Sequence, residues 1–491
     1  MLTAVLLVTT GRSQTLIDQI PSAEPSVGQQ AQIARKYGMF CHFGINTYAN
    51  QEWTDGSLPP ETYAPPADLD RKIDTWVKTA HDAGMRYFLC ITKHHDGFCL
   101  WDTKDTGYCA FNPAVKHHID VVREVSNACK KYGIGFAVYY SLWDRNWDRT
   151  HADLYKKDHA AADKAYVDYM VGQLRELMTQ YGPVTELWLD GSWAKDAPEW
   201  ELDRVYDVVK RNQPLCQVGV NWTINSPDNP PHFRLLPADQ KDGYPFRYFP
   251  SDFRLLDPRL PGCPDPKHFT HNGKSYYLPF EATVTASARD LWFYHANDPH
   301  AKSPDQLEDV FETATAQDNM LVLNIPPDRE GNLVPEQVAS VMELAKRLGI
   351  EGGGKPFPKP FVNLCFGAKA ETSATWNDPN DPDGYSASKA IDGNPGTRWA
   401  CAAGVTAATL DIDFGKPVQF NRIDIEEFLS RTKSFDLEIP DPNGWKVIYT
   451  GTEIGNRKDI QVNETTASKL RLNIKQASEP PSIFEIIVSD R

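Results

Sequence analysis

Several features that would place this chain on nucleic acid or in a membrane are missing. Basic residues are in deficit: 51 Lys and Arg stand against 66 Asp and Glu in 491 residues, a formal net charge of −15. A surface of that sign repels phosphate backbones and anionic headgroups, which excludes nucleic acid and charged membrane as partners. Long hydrophobic runs are also lacking. The apolar stretch Leu2 to Val8 is too short to cross a bilayer, so no membrane span is expected. It reads as the tail of a secretory signal. Residues 1–14 are therefore expected to be a truncated signal segment, and the protein periplasmic or secreted.

Cysteine is sparse and unpatterned. The nine residues are an odd number with no CxxC pair, which excludes a disulfide framework and zinc-type spacing. Cys41, Cys90, Cys99 and Cys216 lie in or near apolar runs and read as buried thiols. No Gly-rich phosphate loop of the GxGxxG type follows the first strand. One absence is local: between Glu201 and Glu281 the chain has no Glu.

What is present fits a globular protein, with 41% hydrophobic and 24% charged residues. The length predicts two domains. Thirteen Trp and twenty Tyr supply stacking surfaces for sugar rings, or simply large core residues.

Between residues 15 and 350, continuous apolar strands alternate with amphipathic helices. Strand ends fall near 42, 93, 140 and 190. Ile73, Trp76, Val77 and Ala80 form a helical stripe over 70–83, and further helices are predicted over 118–132, 161–181 and 335–348. The alternation predicts a parallel sheet covered by helices. Polar residues cluster at the C-terminal ends of the strands, the layout of a (β/α)8 barrel of the TIM type, where sites form at that face. Residues 224–276 are a long aperiodic segment rich in Pro, Asp and Arg, and loops that long are usually functional. Residues 351–360 read as a linker. From 361 to 491 the period changes to two, over 410–414, 420–425, 470–474 and 483–488. That predicts an all-β sandwich of the jelly-roll or discoidin-like kind.

The chemistry centres on Glu186-Leu-Trp-Leu-Asp-Gly191. This strand delivers Asp190 to its end, with Trp188 on the same side. An aromatic beside a carboxylate suits a sugar ring and its reactive carbon. His42, the pair His94 and His95, and Tyr139 or Tyr140 end the neighbouring strands, and neutral imidazoles suit vicinal hydroxyls.

These residues carry a family resemblance. His-Phe-Gly at 42–44, Glu52-Trp53, Lys-His-His-Asp-Gly-Phe at 93–98, Tyr-x-Ser-x-Trp-Asp at 139–144 and Glu-x-Trp-x-Asp-Gly at 186–191 resemble the α-L-fucosidases of glycoside hydrolase family 29. The likeness runs over roughly residues 30–350 and includes Trp292-Phe-Tyr-His295 and Leu-Val-Leu-Asn-Ile at 321–325. It implies retaining, exo-acting hydrolysis of terminal α-L-fucosyl residues on oligosaccharides or glycoconjugates by double displacement, without a cofactor. It implies Asp190 as the nucleophile and His42, Glu52, Trp53, His94, His95, Tyr139, Trp188 and Trp292 as substrate contacts. A retaining enzyme also needs an acid/base carboxyl about 5–5.5 Å away. Glu281, taken as a strand-end residue, is the first candidate. Asp257, where the family pattern resembles Asp-Phe-Arg-x-x-Glu, is the second, and Glu52 the third.

The run 387–399 and the rest of 361–491 resemble a discoidin-like sandwich of the coagulation factor 5/8 type C. That resemblance implies a structural calcium at Asp392, Asn394, Thr397 and Glu485. Three rival readings stand beside the fucosidase: a retaining glycosidase for a galactose-like sugar, a non-catalytic glycan-binding barrel, and a metal-dependent hydrolase using His42, His94, His95 and Asp96.

Overall fold

The computed structural model describes residues 24–228, 234–298, 300–358, 362–394 and 396–490. The expected signal segment at 1–14 lies outside the described residues, as do the first residues of the expected barrel range. The chain divides into two compact units, Met1–Pro261 with Asp265–Pro358, and Gly262–Pro264 with Lys359–Arg491.

In the first unit, eight parallel strands close into a barrel. The strands are β1 (Tyr37–Cys41), β2 (Tyr87–Lys93), β3 (Gly135–Ser141), β4 (Glu186–Asp190), β5 (Gln217–Asn221) and β6 (Phe253–Leu255). A small antiparallel hairpin, β7 (His268–His271) and β8 (Lys274–Tyr277), precedes β9 (Phe280–Thr285) and β10 (Met320–Asn324). The order around the barrel is β1-β10-β9-β6-β5-β4-β3-β2, and β1 closes it against β10 with Tyr37 opposite Leu321. β1, β2, β4, β5, β9 and β10 are buried along their whole length, as strands covered on both faces must be.

The helices packed around the strands begin with α1 (Val27–Arg35), α2 (Ile45–Ala49), α3 (Leu69–Asp82), α4 (Val121–Tyr132), α5 (Arg145–Thr150) and α6 (Ala152–Lys157). They continue with α7 (His159–Gln180), α8 (Leu202–Asn212), α9 (Pro304–Thr315) and α10 (Pro335–Arg347). The expected stripe Ile73, Trp76, Val77 and Ala80 is the buried face of α3. Asp120 caps α4 by accepting the Arg123 N–H at 2.9 Å.

The barrel departs from regular alternation after β5. The segment to β9 carries no α-helix among the described residues, and β6 is only three residues long. This is the aperiodic stretch noted in the sequence. It is held by its own apolar cluster, with Ile224, Leu235, Phe246, Phe269, Tyr276 and Leu278 buried together. Residues 291–295, where the sequence resumes an apolar run, form a loop and not a strand.

The floor of the barrel is tightly filled. A Cβ on Gly38 would lie 2.5 Å from the Tyr87 ring, so glycine lets that ring cross the interior.

The second unit is an antiparallel sandwich of seven strands: β11 (Lys369–Thr372), β12 (Trp399–Ala400), β13 (Ala408–Glu427), β14 (Thr432–Asp441), β15 (Gly444–Gly451), β16 (Arg457–Ala477) and β17 (Ser482–Ser489). β13 and β16 are long and pair with each other through two register shifts, at Asp413/Val418 and Phe420/Arg422. Bulges of this kind bend a strand. β13 accordingly pairs β11 along one half and β17 along the other. Inward residues such as Leu410, Ile412, Phe420, Ile423, Leu470 and Leu472 fill its core.

Candidate active site

Asp190 is the last residue of β4. Gly191 follows with φ +72°, and a Cβ there would lie 2.7 Å from Trp143 Cβ, so the turn requires glycine. The Asp190 carbonyl accepts the Leu142 N–H at 2.7 Å, which ties the ends of β3 and β4 together. Its carboxylate accepts Tyr139 OH on Oδ2 at 2.7 Å and Asn221 Nδ2 on Oδ1 at 2.9 Å. Burial raises its pKa, and the Asn221 and Tyr139 hydrogen bonds pull the other way.

The pocket above it is lined by Phe40, His42, Glu52, Trp53, His94, His95, Tyr139, Trp188, Asp190, Trp193, Asp257, Thr283 and Trp292. Tyr139 stacks on Trp188 with ring centroids 5.5 Å apart. Phe40, Trp188 and Trp292 give one wall an apolar face.

Three imidazoles also line the pocket, His42 against Phe40 and Trp292, and their outer partners set which nitrogen carries the proton. Asn324 donates through Nδ2 to the Trp292 carbonyl at 2.8 Å, so its Oδ1 accepts His42 Nδ1–H at 2.7 Å. Ser141 donates to the Trp143 carbonyl, so its Oγ accepts His95 Nδ1–H at 2.6 Å. Asn46 accepts Thr54 on its oxygen, so its Nδ2 donates to His94 Nδ1, 3.3 Å away. Neutral His42 and His95 therefore keep a lone pair on Nε2, while His94 keeps Nε2–H. Burial lowers His42 and His95 to about 3 and His94 well below its usual value, so all three stay neutral at ordinary pH.

Asp257 follows β6 and lies in the same pocket. Its Oδ1 accepts the same Asn221 Nδ2, in a short hydrogen bond, and its carbonyl accepts Arg234 Nη2. Burial, and then the charge of Asp190, push its carboxyl up to about 6. One nitrogen reaches both carboxyl groups, so the two Oδ1 atoms lie no farther apart than two hydrogen-bond lengths, about 6 Å.

Glu281 is not in the pocket. It is the second residue of β9, not a strand-end residue as the sequence led us to expect, and it pairs with Met320 at the start of β10. Thr283, on the same face, lines the pocket, and two residues of strand put Glu281 about 6.6 Å below it. There it accepts Tyr87 OH at 2.7 Å, and burial beside Glu186 raises its carboxyl well above the usual range. Glu52 lies in the pocket but is bound on both oxygens. Oε2 accepts Trp292 N–H at 2.9 Å, and Oε1 accepts Phe293 N–H at 3.0 Å and His295 Nε2 at 2.8 Å. Its carboxylate thus fastens the 291–295 loop that carries Trp292.

Sequence reasoning missed Asn221, Trp193, Phe40 and Thr283. Asn221 alone gave a signal: it is a polar residue at the C-terminal end of a strand, like those already singled out. Lys93 and Asp144, inside the motifs, form a buried ion pair at 3.0 Å beside Tyr140 and Tyr166, between the strand ends and α7.

His42, His94, His95 and Asp96 do not gather as a ligand group. Among the described residues, the one group of three with ligand atoms close together is His159, Asp163 and Glu199, none of which lines the pocket, and Lys195 already pairs with Asp163. In the sandwich, Asp392 Oδ1 accepts Asn394 N–H at 3.0 Å and Thr397 OH at 2.9 Å, and Lys389 Nζ lies 3.4 Å from Oδ2. Asn394 turns its own oxygen to Gly396 N–H at 3.0 Å. Glu485 Oε2 accepts Gly393 N–H at 3.2 Å, while its buried Oε1 has no donor among the described residues. Burial, with Asp392 nearby, raises Glu485 to about 8. An orphaned buried carboxylate oxygen beside a second carboxylate fits a cation.

A parallel barrel that gathers an aromatic pocket and two carboxyl groups at the C-terminal ends of its strands defines a glycoside hydrolase. The comparisons narrow that class. The family model for alpha-L-fucosidase matches residues 72–353, and that for the F5/8 type C domain matches 369–486. The chain belongs to the alpha-L-fucosidase family, glycoside hydrolase family 29. It is 26% identical over 476 residues to alpha-L-fucosidase 1 of Arabidopsis thaliana, covering 94% of this chain and 86% of that one. It is 23% identical over 361 residues to the tissue alpha-L-fucosidase of Mus musculus, covering 66% and 71%. Among solved structures, a Ruminococcus gnavus GH29 fucosidase in complex with fucose superposes with TM-score 0.52 at 22% identity, covering 96% and 95%. Alpha-L-fucosidase isoenzyme 1 from Paenibacillus thiaminolyticus gives 0.53 at 20%, covering 95% and 99%.

Proposed function

We propose that this chain is a retaining, exo-acting α-L-fucosidase that removes terminal fucosyl residues from oligosaccharides or glycoconjugates. The observation that supports this reading most is the pair of Asp190, buried, and Asp257, half-buried, which share one pocket and are bridged by one amide nitrogen. That spacing suits a nucleophile and an acid/base and leaves little room for the water that inversion requires. Asp190 attacks the anomeric carbon while Asp257, protonated, gives its proton to the leaving oxygen. Asp257 then takes a proton from the water that releases the sugar. His42 and His95 accept from sugar hydroxyls and His94 donates to one. The apolar wall of Phe40 and Trp292 suits a methyl group at the sugar's sixth carbon better than the hydroxymethyl of galactose.

Hydrolysis followed by proton NMR should show α-L-fucose first, with the β anomer growing in only by mutarotation. The β anomer first would overturn the retaining mechanism. The pH dependence has a defined sign. Asp257 must carry a proton for the first step, so kcat/KM should fall as pH rises through about 6, where that carboxyl ionises. A flat profile from pH 5 to 8 would contradict Asp257 as the acid.

The sandwich reading is a structural calcium held by Asp392, Asn394, Thr397 and Glu485. A strong chelator should lower the melting temperature of a calcium-loaded sample, with calcium restoring it. Fucosidase turnover below that transition should be unchanged. An unshifted melting curve would remove the ion, and loss of turnover restored by zinc would favour a metal-dependent hydrolase.

A further inference from the structure

Asn221 ends β5 and is fully buried. Its side-chain oxygen accepts the Trp222 N–H at 3.0 Å. That N–H is aimed by the left-handed backbone of Trp222, φ +63°, and is shared with the Leu255 carbonyl at 3.1 Å. Left-handed backbone is uncommon at a bulky residue and is kept where the surroundings demand it. With its oxygen engaged, the amide cannot turn over. Nδ2 therefore faces the carboxyl groups, and its two hydrogens are divided, one to Asp190 Oδ1 and one to Asp257 Oδ1.

We infer that Asn221 is a positioning residue, a non-titrating spacer that keeps Asp190 and Asp257 apart at the working distance and stops them from bonding directly to each other. The inference rests on the assignment of Asp190 and Asp257 above. Two carboxyl groups at close range in one pocket otherwise share a proton in a direct O–H···O bond, as the aspartic protease pair does. In that state neither is a free nucleophile or a free acid, and no sugar fits between them. An amide wedged between them donates to both, whichever holds the proton. The other titratable or charged groups facing the pair are Tyr139 from β3, His95 after β2, and Arg234, with Arg259 behind it. None of these donates to both carboxyl groups.

The test is the pH profile of kcat and KM for Asn221→Ala and Asn221→Asp beside the wild type, with fucosyl fluoride and a fucosylated oligosaccharide as substrates. Asn221→Asp keeps the shape and the bond from Trp222 N–H but removes the two donors, so it carries the test if the alanine variant does not fold. Both variants should lose about 10²-fold in kcat on both substrates, with KM changing much less and both limbs of the profile displaced. Fucosyl fluoride needs no acid, so a loss confined to the oligosaccharide would tie Asn221 to Asp257 alone and overturn the spacer role. A folded variant with the wild-type profile would also overturn it, while leaving Asp190 and Asp257 in place. An inactive wild type would overturn the fucosidase reading and the inference with it.

Discussion

Replacing Asp190 by Ala should lower turnover of any fucoside roughly 10⁴-fold or more, the scale seen when a covalent nucleophile is removed. The loss should be independent of the leaving group, because no other group in the pocket points a carboxylate from the end of β4. The fold should persist. Asp190 is a buried charge whose partners, Tyr139 and Asn221, keep other neighbours, and neither the β4 core nor the tie from Leu142 N–H to the 190 carbonyl needs the side chain. The space left by the side chain admits a small anion. Azide should therefore attack the sugar from the nucleophile's side and give the β-fucosyl azide, the inverted product. Wild-type-like turnover in a folded Asp190→Ala variant would sink the assignment.

The second large effect separates three carboxyl groups. Asp257→Ala should lose about 10² to 10⁴-fold in kcat/KM on oligosaccharides, whose leaving alcohol must be protonated. It should lose far less on an aryl fucoside with a good leaving group, and azide should restore its second step, since an anion needs no general base. Glu281→Gln should stay within a few-fold of wild type on both substrates. Its carboxyl lies under Thr283 on the barrel floor, bonded to Tyr87, and the amide keeps an acceptor for that hydroxyl. Glu52→Gln should instead weaken binding, because Glu52 holds the backbone that carries Trp292. If Glu281→Gln showed the leaving-group dependence and Asp257→Ala did not, the roles would be exchanged.

The contrast between Asp257 and Glu281 shows what the residues alone could convey. Strands such as Tyr87–Lys93 and Glu186–Asp190 are continuous apolar runs closed by polar residues, so their type and their C-terminal ends could be read directly. His42, His94, His95, Trp188 and Asp190 are legible for that reason, and Tyr139 as one of two adjacent tyrosines, and the structure brings all six to one pocket. Glu281 misled because alternation tells which face a side chain takes, not how deep it sits. Glu281, Thr283 and Thr285 share the inward face, and only the pairing of β9 with β10 reveals that Glu281 lies at the bottom. Asp257 was hard to weigh because it follows a three-residue strand inside an aperiodic segment, where folding is directed by a local apolar cluster and not by a repeating pattern. Asn221 was missed although it is a strand-end amide, and its bridge depends on the turn at Trp222, which composition does not specify. In the sandwich, period two revealed the strands. It could not reveal that β13 bends at two bulges and pairs different partners along its length.

The most direct measurement is to trap the glycosyl-enzyme. A 2-deoxy-2-fluoro fucosyl fluoride reacts through the same first step but leaves an intermediate that hydrolyses slowly, because fluorine at the second carbon destabilises the positive charge in the transition state. Peptide mass mapping of the inactivated full-length protein should place one fluorofucosyl group on the peptide containing Asp190, with label lost and activity regained as the adduct turns over. A label on Asp257, Glu52 or Glu281, or steady hydrolysis of fucosides with no label anywhere, would contradict the account.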